Sequence, residues 1–189
     1  NLSANAETRE AATRGGGLQT MVLVAKDEDI DCRRYGTIGL CNLACSEQTQ
    51  VQVIVHGGLQ PIVEMIDSDD SDCQRYALMA LTNLAANEAN HATMVGKDVL
   101  EKILRLASSD DADLMQYAAF ALANFGSSAE SHATLGRGGG LPPLIALAHS
   151  EDKNAQCLAV AALRRLADHD ENRVRLVELG VLAPLAIAG

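Results

Sequence analysis

The chain has 189 residues, with 25 acidic side chains against 15 basic ones and a net charge of −10. That charge argues against generic binding to a nucleic-acid backbone or to an anionic membrane surface, and no apolar run approaches the roughly 18 residues a membrane span needs. Apolar residues make up 48%, yet Trp is absent and aromatics amount to 3%, so any core has to be assembled from Ala, Leu, Val and Ile.

In chain order, Asn1-Leu2-Ser3-Ala4 reads as the tail of a long helix, and a first unit runs from about Asn5, with a triple-glycine turn at Gly15-Gly16-Gly17 and an acidic turn at Asp27-Glu28-Asp29. The second unit shows the plan most clearly. A short helix is expected over 47–56, closed by Gly57-Gly58, where glycine supplies a left-handed cap at little steric cost. A second short helix runs over about 59–67, with Pro61 in its first turn, where a missing N–H does no harm. The charged turn Asp67 to Asp72 precedes a longer helix over about 71–86, in which Tyr76, Ala77, Leu78, Ala80, Leu81 and Leu84 recur at helical spacing. The third unit repeats this with Asp110-Asp111-Ala112-Asp113 as its acidic turn but replaces the glycine turn by Gly96-Lys97-Asp98-Val99, and the fourth returns to Gly138-Gly139-Gly140 and Glu151-Asp152. Gly180 opens the last segment.

The units share a period of 41 residues. Leu18, Leu59, Leu100, Leu141 and Leu182 keep it, as do Asn1, Asn42, Asn83, Asn124 and Arg165, and Tyr35, Tyr76 and Tyr117 with Leu158 in the fourth place. Self-similarity at this period marks a helical solenoid, in which each unit buries its apolar face on its neighbours. The expectation is one all-α array over 1–189, a right-handed superhelical solenoid of three-helix repeats at about 5–45, 46–86, 87–127 and 128–168 with a partial fifth over 169–189. A start at Asn1 without Met suggests a fragment of a longer array, and uncapped ends suggest self-association.

Other chemistry is poorly supported. The cysteines Cys32, Cys41, Cys45, Cys73 and Cys157 are odd in number; Cys41 and Cys45 share a helix face, but no His stands at a supporting spacing, so all five are expected to serve as small hydrophobes in a reducing compartment. Counted from Asp67, the sixth and twelfth places of a calcium loop hold Asp72 and Leu78 rather than Gly and Glu; the acidic residues fit helix N-capping better. The glycine turns lack a phosphate-loop Lys and a preceding strand. His91 and His132 are repeat-equivalent, which fits a consensus role. No catalytic, metal or cofactor set can be assembled, so no enzyme activity is expected.

The segments Gly58-Leu-Gln-Pro-Ile-Val63, Gln74-Arg75-Tyr76-Ala77 and Ala80-Leu81-Thr82-Asn83-Leu84-Ala85, with their counterparts around Tyr35, Asn42, Tyr117 and Asn124, resemble armadillo repeats over essentially the whole chain, in the manner of vacuolar-type and catenin-like arrays. The resemblance implies a concave groove lined by the long third helices, in which Asn42, Asn83 and Asn124 hydrogen-bond the backbone of an extended peptide. An amide both donates and accepts, so it can hold a main chain without reading its sequence. Two departures stand out. Where nuclear-import adaptors of this family carry Trp one turn before the Asn, this chain has Ile38, Met79, Phe120 and Ala161, which argues against recognition of basic signals. In the fourth unit Arg164-Arg165 interrupts the Asn ladder. A further turn back stand Arg34, Arg75, Gln116 and Cys157, so the stripes Arg34/Ile38/Asn42, Arg75/Met79/Asn83 and Gln116/Phe120/Asn124 each share one helix face. Arg suits carboxylate capture. The expected partner is therefore a protein or extended peptide with acidic and apolar side chains. A structural spacer within a larger multi-repeat protein is the alternative, as is an array restraining an enzymatic domain elsewhere. The tyrosines are expected to pack between repeats with their hydroxyls at the surface, and a cytoplasmic location follows from the reducing-compartment reading.

Overall fold

The computed structural model describes residues 15–95 and 98–181, except for the side chain of Glu130, and every described element is helical. The chain divides into two compact units, Asn1–Met94 and Val95–Gly189. Leu182, the first four residues and most of the first helix of the first repeat lie outside the described residues, as does the end of the partial fifth repeat.

The first unit contains α1 (Gly17–Val24), α2 (Ile30–Ala44), α3 (Glu47–Val55), α4 (Leu59–Met65) and α5 (Ser71–Ala85), then a 3-10 turn at Glu88–Asn90 that leads into α6 (His91–Val95), most of which also belongs here. The helices expected at 47–56, 59–67 and 71–86 are therefore present, each shorter by one or two residues. The long helices α2 and α5 pack on each other, with α1, α3 and α4 against them. Leu40, Leu43, Val53, Ile62, Leu78, Leu81 and Leu84 are fully or almost fully buried between them. On the long helices these positions sit three apart, which puts them on one face.

The second unit continues with α7 (Val99–Leu106), α8 (Ala112–Phe125), α9 (Ala129–Arg137), α10 (Leu141–Ala148), α11 (Lys153–Leu166) and α12 (Asp170–Glu178). Here α8 and α11 are the long helices; α11 packs on α8 and α10, and α12 on α9. Ala119, Leu147, Ala155 and Ala159 form one buried cluster, against which Phe120 packs.

Each long helix begins on the same device. Asp29, Asp70, Asp111 and Asp152, all 41 residues apart, are the N-caps of α2, α5, α8 and α11, and their carboxylates accept from backbone N–H groups of the first turn. This satisfies donors that a helix start leaves without partners. The residue two before each cap receives the cap's own N–H: Asp27, Ser68, Ser109 and Ser150. The acidic turns are thus N-capping turns, as their sequence implies.

Each long helix also ends on a shared device. Gln50 Nε2 donates to the Ala44 carbonyl at 3.1 Å, His91 Nε2 to Ala85 at 2.6 Å, His132 Nε2 to Gly126 at 3.1 Å and Arg173 to Ala167 at 3.3 Å. Thr49 and Asn90 do the same for Leu43 and Leu84 one residue earlier. Side chains of the next repeat's first helix therefore satisfy terminal carbonyls of the preceding long helix. The repeat-equivalent histidines are buried structural donors.

The turns before α1, α4 and α10 each use one left-handed glycine, Gly16, Gly57 and Gly139, with φ between 82° and 84°; Asp98, in the same place before α7, has φ 56°, and Gly180, after α12, has φ 75°. The third repeat also shortens its first helix to five residues behind the 3-10 turn.

Candidate functional site

The long helices α2, α5, α8 and α11 present the ladder positions. In the first unit Arg34, Ile38 and Asn42 on α2, and Arg75, Met79 and Asn83 on α5, are all half-buried. Their neighbours on the opposite face, Leu40, Leu43, Leu81 and Leu84, are at most 1% exposed. The stripe therefore lies along the margin between core and solvent, where a side chain is held by packing yet remains reachable. In the second unit Phe120 and Asn124 on α8 are half-buried, and Gln116 on α8 and Arg165 on α11 are exposed.

Within the first unit the two ladder asparagines belong to a connected surface. The Asn83 amide donates through Nδ2 to Cys45 Sγ at 3.3 Å, and Cys45 in turn donates to the Cys41 carbonyl at 3.4 Å. Cys45 lies one helical turn after Asn42, so it bridges the ends of two successive long helices. Its participation was not anticipated from the cysteine count; its place three residues after a ladder Asn was the available signal. The Asn83 amide keeps its second N–H and its Oδ1 acceptor beyond this bond to sulfur.

The cysteine expectation holds only in part. Cys41 and Cys73 are buried, Cys32 is half-buried, but Cys45 and Cys157 are exposed, and all five are unpaired. Burial pushes the Cys41 thiol up to about 12, with the neighbouring Cys45 adding to it; a thiol so held is inert as a nucleophile.

The arginines depart from the role expected of them. Arg34 donates to Asp31 at 2.9 Å and to Asp70, the N-cap of α5. Its neighbours Cys73 and Asp70 push its pKa further up, against partial burial. Burial raises the Asp70 carboxyl, but hydrogen bonds from Arg34 and from the backbone N–H groups of Asp72 and Cys73 outweigh it and hold the group below the usual range. Arg75 pairs with Asp72 at 3.3 Å. The carboxylates that Arg34 and Arg75 capture are thus the chain's own helix-start aspartates. The physical reason is proximity: an arginine one turn into a helix whose start is acidic finds an internal partner before any ligand arrives.

Tyr35 is also corrected: it is 68% exposed rather than packed between repeats. Tyr76 and Tyr117 are half-buried. Beyond the ladder, an apolar cleft in the second unit is lined by Ile145, Ala148, Val160, Leu163, Leu179 and Val181. Val160 is 39% exposed there, whereas its repeat equivalents Thr37, Leu78 and Ala119 are at most 3% exposed. Among the described residues no group of three or more His, Cys, Asp or Glu side chains is placed to hold a metal ion, and no helix is long and apolar enough to cross a membrane.

Three-helix repeats, a shared N-cap and C-cap, and Asn at one register of the long helices define an all-α armadillo-repeat fold. The family model described as Armadillo/beta-catenin-like repeat matches residues 45–86 and 134–168, so these segments are armadillo repeats. Solved structures of engineered proteins share the fold over almost the full chain. One, an engineered protein, is 28% identical with TM-score 0.83, over 98% of this chain and 78% of that one. A second, described as computationally designed armadillo repeat proteins for modular peptide recognition, is 23% identical with TM-score 0.86, over 98% and 79%. A third is a designed armadillo repeat protein in complex with the peptide (KR)4, at 22% identity and TM-score 0.75, over 87% and 71%. No curated protein matches the chain.

Proposed function

We propose that this chain is a non-enzymatic protein-interaction module that holds an extended polypeptide segment along the exposed side of its long helices. The observation that carries this reading is the recurrence of a half-buried Asn at one register of three successive long helices, Asn42, Asn83 and Asn124, with the Asn83 amide oriented by Cys45. Each unit offers such a surface of its own. Ile38, Met79 and Phe120 supply apolar contact one turn before each Asn, and the Asn carbonyl and amide groups suit a main chain that is both donor and acceptor. That designed proteins of this fold are described as made for peptide recognition supports the reading. The internal pairing of Arg34 and Arg75 makes them supports of the ladder rather than its charge readers. Five unpaired cysteines fit a reducing, cytoplasmic setting.

Selection of random linear peptides on the purified protein tests the reading. Wild type is expected to enrich binders, and Asn83→Ala with Asn124→Ala to lose them while keeping the same helical circular dichroism and melting temperature. Equal binding by wild type and the double variant would move the interaction away from the ladder.

A further inference from the structure

We propose that Arg164 and Arg165, at the end of α11, receive a carboxylate side chain of an extended polypeptide lying along α8 and α11. This rests on the peptide-binding reading above and assigns one element of its ligand's chemistry.

Arg165 stands where the three preceding long helices carry Asn42, Asn83 and Asn124. An Asn satisfies both a main-chain N–H and a carbonyl; Arg has donors only. The substitution therefore changes what this place can bind, from a main chain to an acceptor, and the planar guanidinium matches a carboxylate best.

The pair is also free to act. Several other arginines are engaged by the protein itself: Arg34 by Asp31 and Asp70, Arg75 by Asp72, Arg137 by Glu171 and Arg173 by Asp170. Arg164 and Arg165 are exposed, and neither has an ion partner among the described residues, although Asp168 follows within one turn.

Helix-dipole stabilisation does not account for them. A cation at a helix C-terminus is favourable, but α2, α5 and α8 end with no basic residue in the last turn. The fold closes the same helix three times without the charge. In a chain of net charge −10, an exposed arginine pair offers an acidic segment an attractive local charge. One turn earlier Ala161 and Val160 are exposed, so the residue beside the carboxylate meets an apolar surface.

The test extends the peptide selection to Arg165→Glu and to the double variant Arg164→Glu with Arg165→Glu. Wild type is expected to enrich Asp or Glu at one fixed ligand position, and the charge-reversed proteins to replace it by Lys or Arg. For a selected acidic peptide measured by fluorescence anisotropy, Arg165→Ala is expected to weaken binding about fivefold at low salt, with the difference shrinking as ionic strength rises. An identical consensus from all proteins, or a wild-type consensus without an acidic position, overturns the proposal while leaving the ladder intact. Failure of wild type to enrich any peptide overturns both. If circular dichroism shows Arg165→Glu to be misfolded, Arg165→Gln takes its place, and retention of the acidic position by that variant overturns the proposal.

Discussion

In the first unit Arg34 and Arg75 stand near the start of the long helices and pair with the protein's own aspartates at helix starts, Arg34 with the cap Asp70 and with Asp31, Arg75 with Asp72. In the second unit the corresponding places hold Gln116 and Cys157, and the arginines have moved to the far end of α11. Yet Asp111 and Asp152 cap their helices just as Asp29 and Asp70 do. The cap therefore does not depend on the ion pair. Backbone N–H groups of the first turn demand an acceptor, whereas the Arg34–Asp70 pair is an addition that ties one repeat's long helix to the start of the next. The same repeat position thus serves internal cohesion in one unit and is released from it in the other.

The largest effects should come from close packing between helices, where the two units differ in what gives way. A Cβ at Gly36 would overlap the backbone of Ala25, and one at Gly136 the side-chain amide of Asn172. Backbone cannot swing aside, so Gly36→Ala is expected to cost about 3 kcal/mol. Gly136→Ala is expected to cost about 1–2 kcal/mol, through displacement of Asn172 and loss of its 2.9 Å bond to the His132 carbonyl. Urea unfolding with constant m-value measures both; equal costs would erase this distinction.

Next come the left-handed turns. Gly57→Ala should destabilise by about 1 kcal/mol, because L side chains resist positive φ. Asp98 already bears that strain, so Asp98→Gly should stabilise by up to about 1 kcal/mol, read as a raised thermal midpoint. A loss of stability would show that the Asp98 side chain compensates for its backbone.

The smallest effect isolates the ion pair. Asn caps helices about as well as Asp, so Asp70→Asn removes the Arg34–Asp70 ion pair, leaving Arg34 paired with Asp31 and the cap in place, while Asp111→Asn removes no ion pair. Asp70→Asn should lower the thermal midpoint more than Asp111→Asn at neutral pH. The Asp70 carboxyl is depressed in the folded state, as is that of Asp29, through the backbone N–H of Cys32 first and then that of Asp31, against partial burial. Depressed carboxyls stabilise above their unfolded pKa and lose that contribution as pH falls through the folded one. Stability should thus decline on acidification below about pH 4, less steeply in Asp70→Asn than in wild type. Parallel acid limbs would show that the pair contributes nothing.

Much of the architecture was legible before any coordinates. The glycine turns, acidic turns and apolar spacing located α3, α4 and α5 to within two residues, because capping, turn geometry and helical periodicity act over one to four residues of chain. The register of Asn42, Asn83 and Asn124 was likewise legible, and each is half-buried on its own long helix. The arginine assignments were not. Arg34 and Asp70 are 36 residues apart, and the sequence showed that both were charged but not that they meet. Asn83 and Cys45, 38 apart, pose the same problem, as does the exposure of Tyr35 against the half-burial of Tyr76 one period later.

By itself, then, the sequence determined the period, the three-helix repeat, the Asp caps, the left-handed turn seats and the register at which Asn42, Asn83 and Asn124 stand. All of these follow from interactions between near neighbours in the chain, reinforced by repetition. The tertiary structure alone decided which charges are consumed internally, that Gln50, His91 and His132 close the preceding helices, that Cys45 orients Asn83, and that Arg164 and Arg165 are left exposed. Those outcomes depend on which side chains from different repeats come within hydrogen-bonding reach, and a repeating sequence offers each residue equivalent partners in every repeat until packing selects one.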